Sequence, residues 1–117
     1  MYKNTIKHNK IIMDMLKRTS KPFYVVVSGN SMAPTINDGD RILVEPFIKN
    51  SLEIGKIIVF RKFIDHLTVH RIINIVGINE KRFYCETKGD NNAKSDPYRV
   101  FNHEIIGIVN IERTIIK

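Results

Sequence analysis

The chain has 117 residues, of which 43% are hydrophobic and 26% are charged, and its formal net charge is +7. This length suits one domain with a modest core, and the composition argues against a disordered chain. A single cysteine, Cys85, excludes an internal disulfide and a multi-cysteine metal site, and it suits a reducing compartment. No apolar run approaches the about 20 residues that a membrane-spanning helix needs. The sequence therefore predicts a cytoplasmic protein that contacts a membrane at most peripherally.

Basic residues are concentrated at the N-terminus. Residues 1–21 carry six lysine and arginine residues against one aspartate. Apolar residues within 5–18 recur at helical spacing, which predicts one amphipathic helix there and divides the chain into segment 1–21 and domain 22–117. Packing on its own domain is the commoner fate of such a helix, and peripheral contact with an anionic membrane surface is the alternative. The apolar residues that share one face are Ile12, Met15 and Leu16.

The chain after Pro22 consists of short β-rich runs separated by turn-forming residues. No helical period intervenes between them, so the sequence predicts a mainly β fold: a small folded sheet or barrel-like domain. The predicted strands are 23–27, 41–44, 56–61, 66–76, 82–87 and 105–111.

A small-residue elbow follows the first predicted strand of the domain. The sequence there is Ser28-Gly29-Asn30-Ser31-Met32, followed by turn formers and a second strand. Strand, elbow, turn and strand is a geometry that lifts one hydroxyl clear of a sheet edge. Ser31 is therefore a candidate nucleophile, but a serine needs a base placed by the rest of the fold.

Four histidines are candidates for this base. His8 and His103 are interpreted as surface residues, and His66 as a solvated residue beside an aspartate. His70 lies inside a predicted strand, where a histidine is more often structural than catalytic. The polar loop 88–99 that follows contains two carboxylates, Asp90 and Asp96, and either would suit the group that orients a catalytic imidazole.

Three blocks of sequence together resemble the type I signal peptidases and the LexA-like peptidases. The first block, 29–35 (GNSMAPT) with the later Asp-Gly-Asp, resembles their nucleophile box. The second, 69–72 (VHRI), resembles the box that holds the base, with histidine as in the archaeal and endoplasmic-reticulum branch. The third, 87–96 (TKGDNNAKSD), is similar to the Gly-Asp-Asn-Asn box of that branch. The blocks occur in the family's order and extend over most of residues 25–109.

The resemblance implies a serine endopeptidase with a Ser-His-Asp mechanism. Ser31 would attack the scissile carbonyl, His70 would transfer the proton, and Asp96 would orient the imidazole. Asp90 is expected to tie the loop through hydrogen bonds and is the alternative orienting acid. The expected supporting residues of the site, which include the candidates for the oxyanion donor, are Ser28, Asn30, Met32 and Asp90.

The resemblance also implies the substrate class. A signal-peptidase-like enzyme cuts an extended leader or signal segment from a precursor peptide or protein, and the alternative is a LexA-like regulatory module that dimerises or cleaves itself. No metal-ligand spacing, phosphate-binding glycine loop or base-stacking pattern is present in the sequence. We therefore expect no cofactor, no metal and no specific nucleic-acid partner.

Overall fold

The computed structural model describes residues 5–7, 21–47 and 51–115. Strands predominate in this part of the chain, so the prediction of a mainly β fold is confirmed. The strands are β1 (Thr5–Lys7), β2 (Phe23–Val26), β3 (Arg41–Glu45), β4 (Ile57–Phe63), β5 (His66–Gly77), β6 (Phe83–Lys88), β7 (Val100–Phe101) and β8 (Ile105–Ile115), and a 3-10 helix (Asn102–Glu104) precedes β8.

The described strands form one antiparallel sheet. Its order is β2-β3-β8-β4-β5-β6-β7, and β1 pairs with β5 outside this path. Two different strands, β2 and β7, end the path, so the sheet is open, whereas the sequence allowed a closed barrel as well. The register shifts within the β3–β8, β4–β5, β4–β8 and β5–β6 pairs, and such irregularities bend a sheet locally.

The predicted N-terminal helix is wrong at Thr5–Lys7, which form β1. These residues pair with β5 in the register Thr5↔Thr68, Ile6↔Leu67 and Lys7↔His66. An edge of β5 supplies backbone hydrogen-bond partners there, and this long-range pairing overrides a local helical pattern. The remainder of the predicted helix, 8–18, lies outside the described residues.

Two hydrophobic clusters cover the two faces of the sheet. The residues of β4 from Ile57 to Phe60 are all buried, and alternate side chains belong to different clusters because successive residues of a strand point to opposite faces. One cluster contains Val27, Met32, Ile36, Ile42, Val44, Ile57, Val59, Leu67, Val69 and Val109. The other contains Leu52, Ile58, Phe60, Ile72, Phe83, Cys85, Val100 and Ile105.

The long strand β5 is the support on which the polar residues converge. It pairs with β4 along one edge and with β1 and β6 along the other. The loops that follow β2 and β6 both return to it. In the described part of the chain, no helix is long and apolar enough to cross a membrane.

Candidate active site

The elbow after β2 is fixed by hydrogen bonds from its backbone N–H groups. Gly29 has φ 93°, a conformation that favours glycine, and its N–H donates to Asp38 Oδ1 at 2.8 Å. Gly39, at φ 88°, donates its N–H to the Val27 carbonyl at 2.7 Å. The loop therefore closes on itself and holds Ser31 next to the sheet.

Ser31, His70 and Asp96 are in hydrogen-bond contact. Ser31 Oγ lies 3.0 Å from His70 Nε2, and His70 Nδ1 lies 2.6 Å from Asp96 Oδ2. Ser31 is fully buried, and the side chains of His70 and Asp96 are 6% and 9% exposed. The same Asp96 oxygen accepts a hydrogen bond from Thr87 Oγ1 at 2.6 Å. Residues that lie far apart in sequence thus form one continuous polar chain.

These contacts define the tautomer that the imidazole adopts. An ionised carboxylate only accepts hydrogen bonds, so the Nδ1 of His70 carries the proton that points to Asp96. In the neutral ring, Nε2 is then the acceptor and receives the hydroxyl proton of Ser31. This is the polarity that a serine nucleophile needs from a general base.

Asp90 contacts Arg71 and Thr35, whereas it is Asp96 that contacts His70. Arg71 donates to both carboxylate oxygens of Asp90, from Nε at 2.8 Å and from Nη2 at 2.6 Å. Thr35 Oγ1 donates to Asp90 Oδ2 at 2.7 Å. The hydrogen bond from Arg71, and after it the one from Thr35, holds the pKa of Asp90 below its usual value. In turn, the hydrogen bond to Asp90 raises the pKa of Arg71. Asp90 thus ties the loop after β6 to β5 and to the elbow.

The loop after β6 also contacts the backbone of Ser31 directly. Asn91 N–H donates to the Ser31 carbonyl at 2.7 Å, and its side-chain amide donates to the Asn30 carbonyl at 3.0 Å. A Cβ added at Gly89 would lie 2.7 Å from that same Ser31 oxygen. Only a residue without a side chain allows the two loops to approach so closely.

The supporting residues expected from the sequence differ in burial: Met32 lies in the core, whereas Ser28 and Asn30 lie at the surface. Met32 is fully buried in a core cluster, and its sulfur accepts from the Asp90 N–H at 3.3 Å. Ser28 and Asn30 are exposed beside Ser31 in the sequence. Of the other histidines, His66 stacks on Phe63 and contacts Asp65, and His103 is exposed; His8 lies outside the described residues.

Two residues of this site escaped the sequence analysis. Thr87 donates a hydrogen bond to Asp96, and Asn91 donates one to the Ser31 carbonyl. Thr87 is one of the buried residues in the alternating pattern of β6. A threonine at an inward position next to the polar loop is the sequence feature that could have indicated this contact with Asp96. Asn91 stands in the Gly-Asp-Asn-Asn block, but the sequence alone does not distinguish an asparagine with this contact from an ordinary turn former.

The single thiol does not take part in this site. Cys85 is a buried free cysteine in a core cluster, and burial raises its pKa to about 11. Within residues 5–7, 21–47 and 51–115, no group of three or more His, Cys, Asp or Glu side chains could hold a metal ion.

An antiparallel sheet that brings a serine, a histidine and an aspartate into sequential contact is an arrangement typical of serine hydrolases. The chain belongs to the peptidase S24-like family, whose model matches residues 2–110. It is therefore a member of the LexA-like serine peptidases, which include related self-cleaving modules. No solved structure matches the chain significantly.

Proposed function

We propose that this protein is a serine endopeptidase of the signal-peptidase type, which removes an extended leader or signal segment from a precursor peptide or protein. The observation that carries the proposal is the contact chain from Ser31 Oγ to His70 Nε2 at 3.0 Å and from His70 Nδ1 to Asp96 Oδ2 at 2.6 Å. The nucleophile, the base and the orienting acid are thus within the distances that proton transfer requires.

The reaction proceeds in two steps. Ser31 Oγ forms a bond to the scissile carbonyl carbon while His70 Nε2 takes its proton; the imidazolium then protonates the leaving amine as the peptide C–N bond breaks. Water then attacks the acyl-serine ester, His70 accepts the proton of that water, and Ser31 regains it as the ester bond breaks. Asp96 stabilises the imidazolium in both steps, and the Thr87 hydroxyl holds the carboxylate in place.

The oxyanion needs donors that are already in position. The backbone N–H of Ser31 is the first donor that we propose, because its peptide unit is held in place through the Asn30 carbonyl. That carbonyl accepts hydrogen bonds from the Asn91 side-chain amide at 3.0 Å and from the Ala33 N–H at 3.1 Å. Ser28 and Asn30 are the candidates for a second donor, since both are exposed beside the nucleophile. Loss of one such donor typically lowers the rate by about 10² to 10³.

An extended substrate suits a site that lies at the edge of a β-strand. A peptide that adds to a sheet edge gains backbone hydrogen bonds, and its alternate side chains face the protein. The preference for small residues at the cleavage point follows from the resemblance to signal peptidases. The buried free thiol of Cys85 supports a cytoplasmic location, and the basic segment 1–21 supports peripheral contact with anionic lipid.

A second candidate function is a regulatory module that cleaves only itself. Two observations favour it: the family includes self-cleaving modules, and the N-terminal strand β1 pairs with β5 only two residues from His70. The chain's own N-terminal segment thus runs close to the proposed base.

One experiment separates the two functions. Purified wild-type protein is incubated with a library of nonapeptides and, separately, with tagged Ser31→Ala protein, and the products are identified by mass spectrometry. We expect cleavage of library peptides by the wild type and none by Ser31→Ala. Nicking of wild-type protein without cleavage of any peptide would instead establish the self-cleaving module, and an intact library with intact protein would overturn both.

A further inference from the structure

Thr68 carries a buried hydroxyl that the fold itself does not use. Its residue is 3% exposed, and Oγ1 has no hydrogen-bond partner within the described part of the chain. A buried polar group without a partner costs free energy, and such groups are few in folded proteins. Valine has nearly the same shape without this cost, so packing alone does not explain a threonine here.

The position of Thr68 points to the active site. Residues 68 and 70 of β5 are two apart, so their side chains lie on the same face of the sheet. Phe60 is the cross-strand neighbour of Thr68 on β4, and its ring contacts the His70 ring edge-on at 6.3 Å between centroids. The unpartnered hydroxyl of Thr68 thus lies in mostly apolar surroundings, on the same face of β5 as the proposed base and two residues before it.

The edge of β5 beside Thr68 is divided between two strands. On the edge of β5 opposite β4, residues 66–68 pair with β1, and residues 71–77 pair with β6. The described registers pair no residue with Val69 and His70 on this edge. A bound peptide needs several consecutive pairs, so a gap of two residues is too short for it.

We propose that the substrate binds along β5 in the place of β1, and that Thr68 selects a substrate residue with an uncharged hydroxyl or amide side chain. This inference rests on the proposed function. The substrate residue that replaces Thr5 in the register faces Thr68 directly, at a separation that side chains of opposed residues bridge. A hydroxyl both donates and accepts, so serine, threonine, asparagine and glutamine fit, whereas the apolar surroundings exclude charged side chains.

The test uses quenched fluorescent nonapeptides in which each position in turn carries threonine or the isosteric valine. Wild type, Thr68→Val and Thr68→Ser are compared by kcat/KM and by Tm. We expect one position at which the wild type prefers threonine by about tenfold. The preference should disappear in Thr68→Val and persist in Thr68→Ser.

The Tm distinguishes this role from a structural one. Thr68→Val should keep or raise the Tm, because it removes an unpartnered buried hydroxyl, whereas loss of a structural hydrogen bond would lower it. A threonine preference that survives in Thr68→Val, or cleavage without any such preference, overturns the inference.

Binding to Ser31→Ala protein separates failure of this inference from failure of the proposed function. Fluorescence anisotropy measures its affinity for the same threonine and valine peptides. If the wild type cuts no peptide but Ser31→Ala binds the threonine peptides more tightly, the peptidase proposal fails and the role of Thr68 stands. If neither cleavage nor selective binding occurs, both are wrong.

Discussion

One carboxylate oxygen organises the polar chain of the site. Asp96 Oδ2 accepts from His70 Nδ1 and from Thr87 Oγ1, both at 2.6 Å, while its backbone N–H donates to the Thr87 carbonyl at 2.8 Å. The carboxylate is thus fixed from the strand beside it as well as from the base. Its proposed function is to keep the proton of the neutral imidazole on Nδ1.

Replacement of this carboxylate by an amide tests that function. Asp96→Asn keeps the size of the side chain and the backbone hydrogen bond, but the amide group has no charge to stabilise an imidazolium. We expect kcat/KM for peptide cleavage to fall by about 10²-fold or more, with little change in Tm. Asp65→Asn is the matched control. The Asp65 carboxylate also contacts a histidine, His66, but the Asp65 side chain is exposed. Equal activity of the two variants would contradict the assignment.

The residue types of the site and their expected pairing could be predicted from the sequence motifs, with one alternative between the two carboxylates. Motif order identified Ser31 and His70, and it left Asp90 and Asp96 as alternative orienting acids. The path of the loop places Asp90 against Arg71 and Asp96 against His70. Thr87 was missed because an inward threonine in a strand has many structural explanations.

The loop after β6 is the element that joins the proposed base, His70, to the proposed nucleophile, Ser31. It begins at Gly89, contacts the Ser31 carbonyl through Asn91, and returns to β6 at Asp96. At Gly89 the loop approaches the elbow backbone so closely that a side chain would block the contact.

A methyl group at this contact should disturb catalysis. In Gly89→Ala the new Cβ would lie 2.7 Å from the Ser31 carbonyl oxygen, so the two loops must separate. We expect kcat/KM to fall at least about tenfold, since small displacements of catalytic groups are costly. Gly77→Ala is the control, because a Cβ there meets nothing within 4 Å. Wild-type kcat/KM in Gly89→Ala would show that this approach has no functional importance.

The ion pair of the same loop predicts a specific response to acid. Hydrogen bonds from Arg71 and Thr35 lower the pKa of Asp90 in the folded state from its ordinary 3.8, so the folded protein binds this proton less readily than the unfolded chain. The resulting stability is present above about pH 4 and is lost as pH falls through the lower folded-state value.

Urea unfolding at a series of pH values measures this contribution. Asp90→Asn should have a lower free energy of unfolding than the wild type at pH 7. This difference in free energy between the two proteins should become smaller below about pH 4. Arg71→Ala removes the other half of the ion pair, so the difference in free energy of unfolding between this variant and the wild type should become smaller over the same pH range. A difference that stays constant down to about pH 2 would mean that the ionised pair does not stabilise the fold.

Strands and helices were predictable to different degrees. The runs after Pro22 carry β-branched residues between turn formers, and six predicted strands match observed strands within a few residues. The two-residue β7 is too short to produce a pattern. The helical spacing near the N-terminus was a local signal, and it could not reveal that β5 offers an unpaired edge to Thr5–Lys7.

At the scale of the whole molecule, close packing near the centre of the sheet holds the two clusters in place. β8 lies between β3 and β4, and Gly107 on β8 passes against the backbone of β3. A Cβ at Gly107 would lie 2.5 Å from the Glu45 carbonyl oxygen and 2.8 Å from Val44 Cγ1.

Gly107→Ala should therefore destabilise the entire domain. Neither a backbone oxygen nor a buried valine can move away cheaply, and we expect the free energy of unfolding in urea to fall by about 1–3 kcal/mol. The Gly77→Ala variant again serves as the control, because its site is open. Identical unfolding free energies for the two variants would contradict this account of the packing.

The strand order was beyond the sequence analysis. Alternation identifies which residues face inward, but it does not say which strands become neighbours, and β8 inserts between β3 and β4 although it comes last in the chain. Such pairings depend on long-range contacts that a single sequence does not display.

The most direct test of the proton-transfer chain is the cleavage rate of His70→Ala. The substrate is the library peptide that the wild-type protein cuts fastest, the peptide incubated without protein defines the uncatalysed background, and circular dichroism checks that each variant is folded. We predict that Ser31→Ala falls to background and that folded His70→Ala loses at least about 10²-fold in kcat/KM. Cleavage at the wild-type rate by folded His70→Ala would contradict the assignment of His70 as the base.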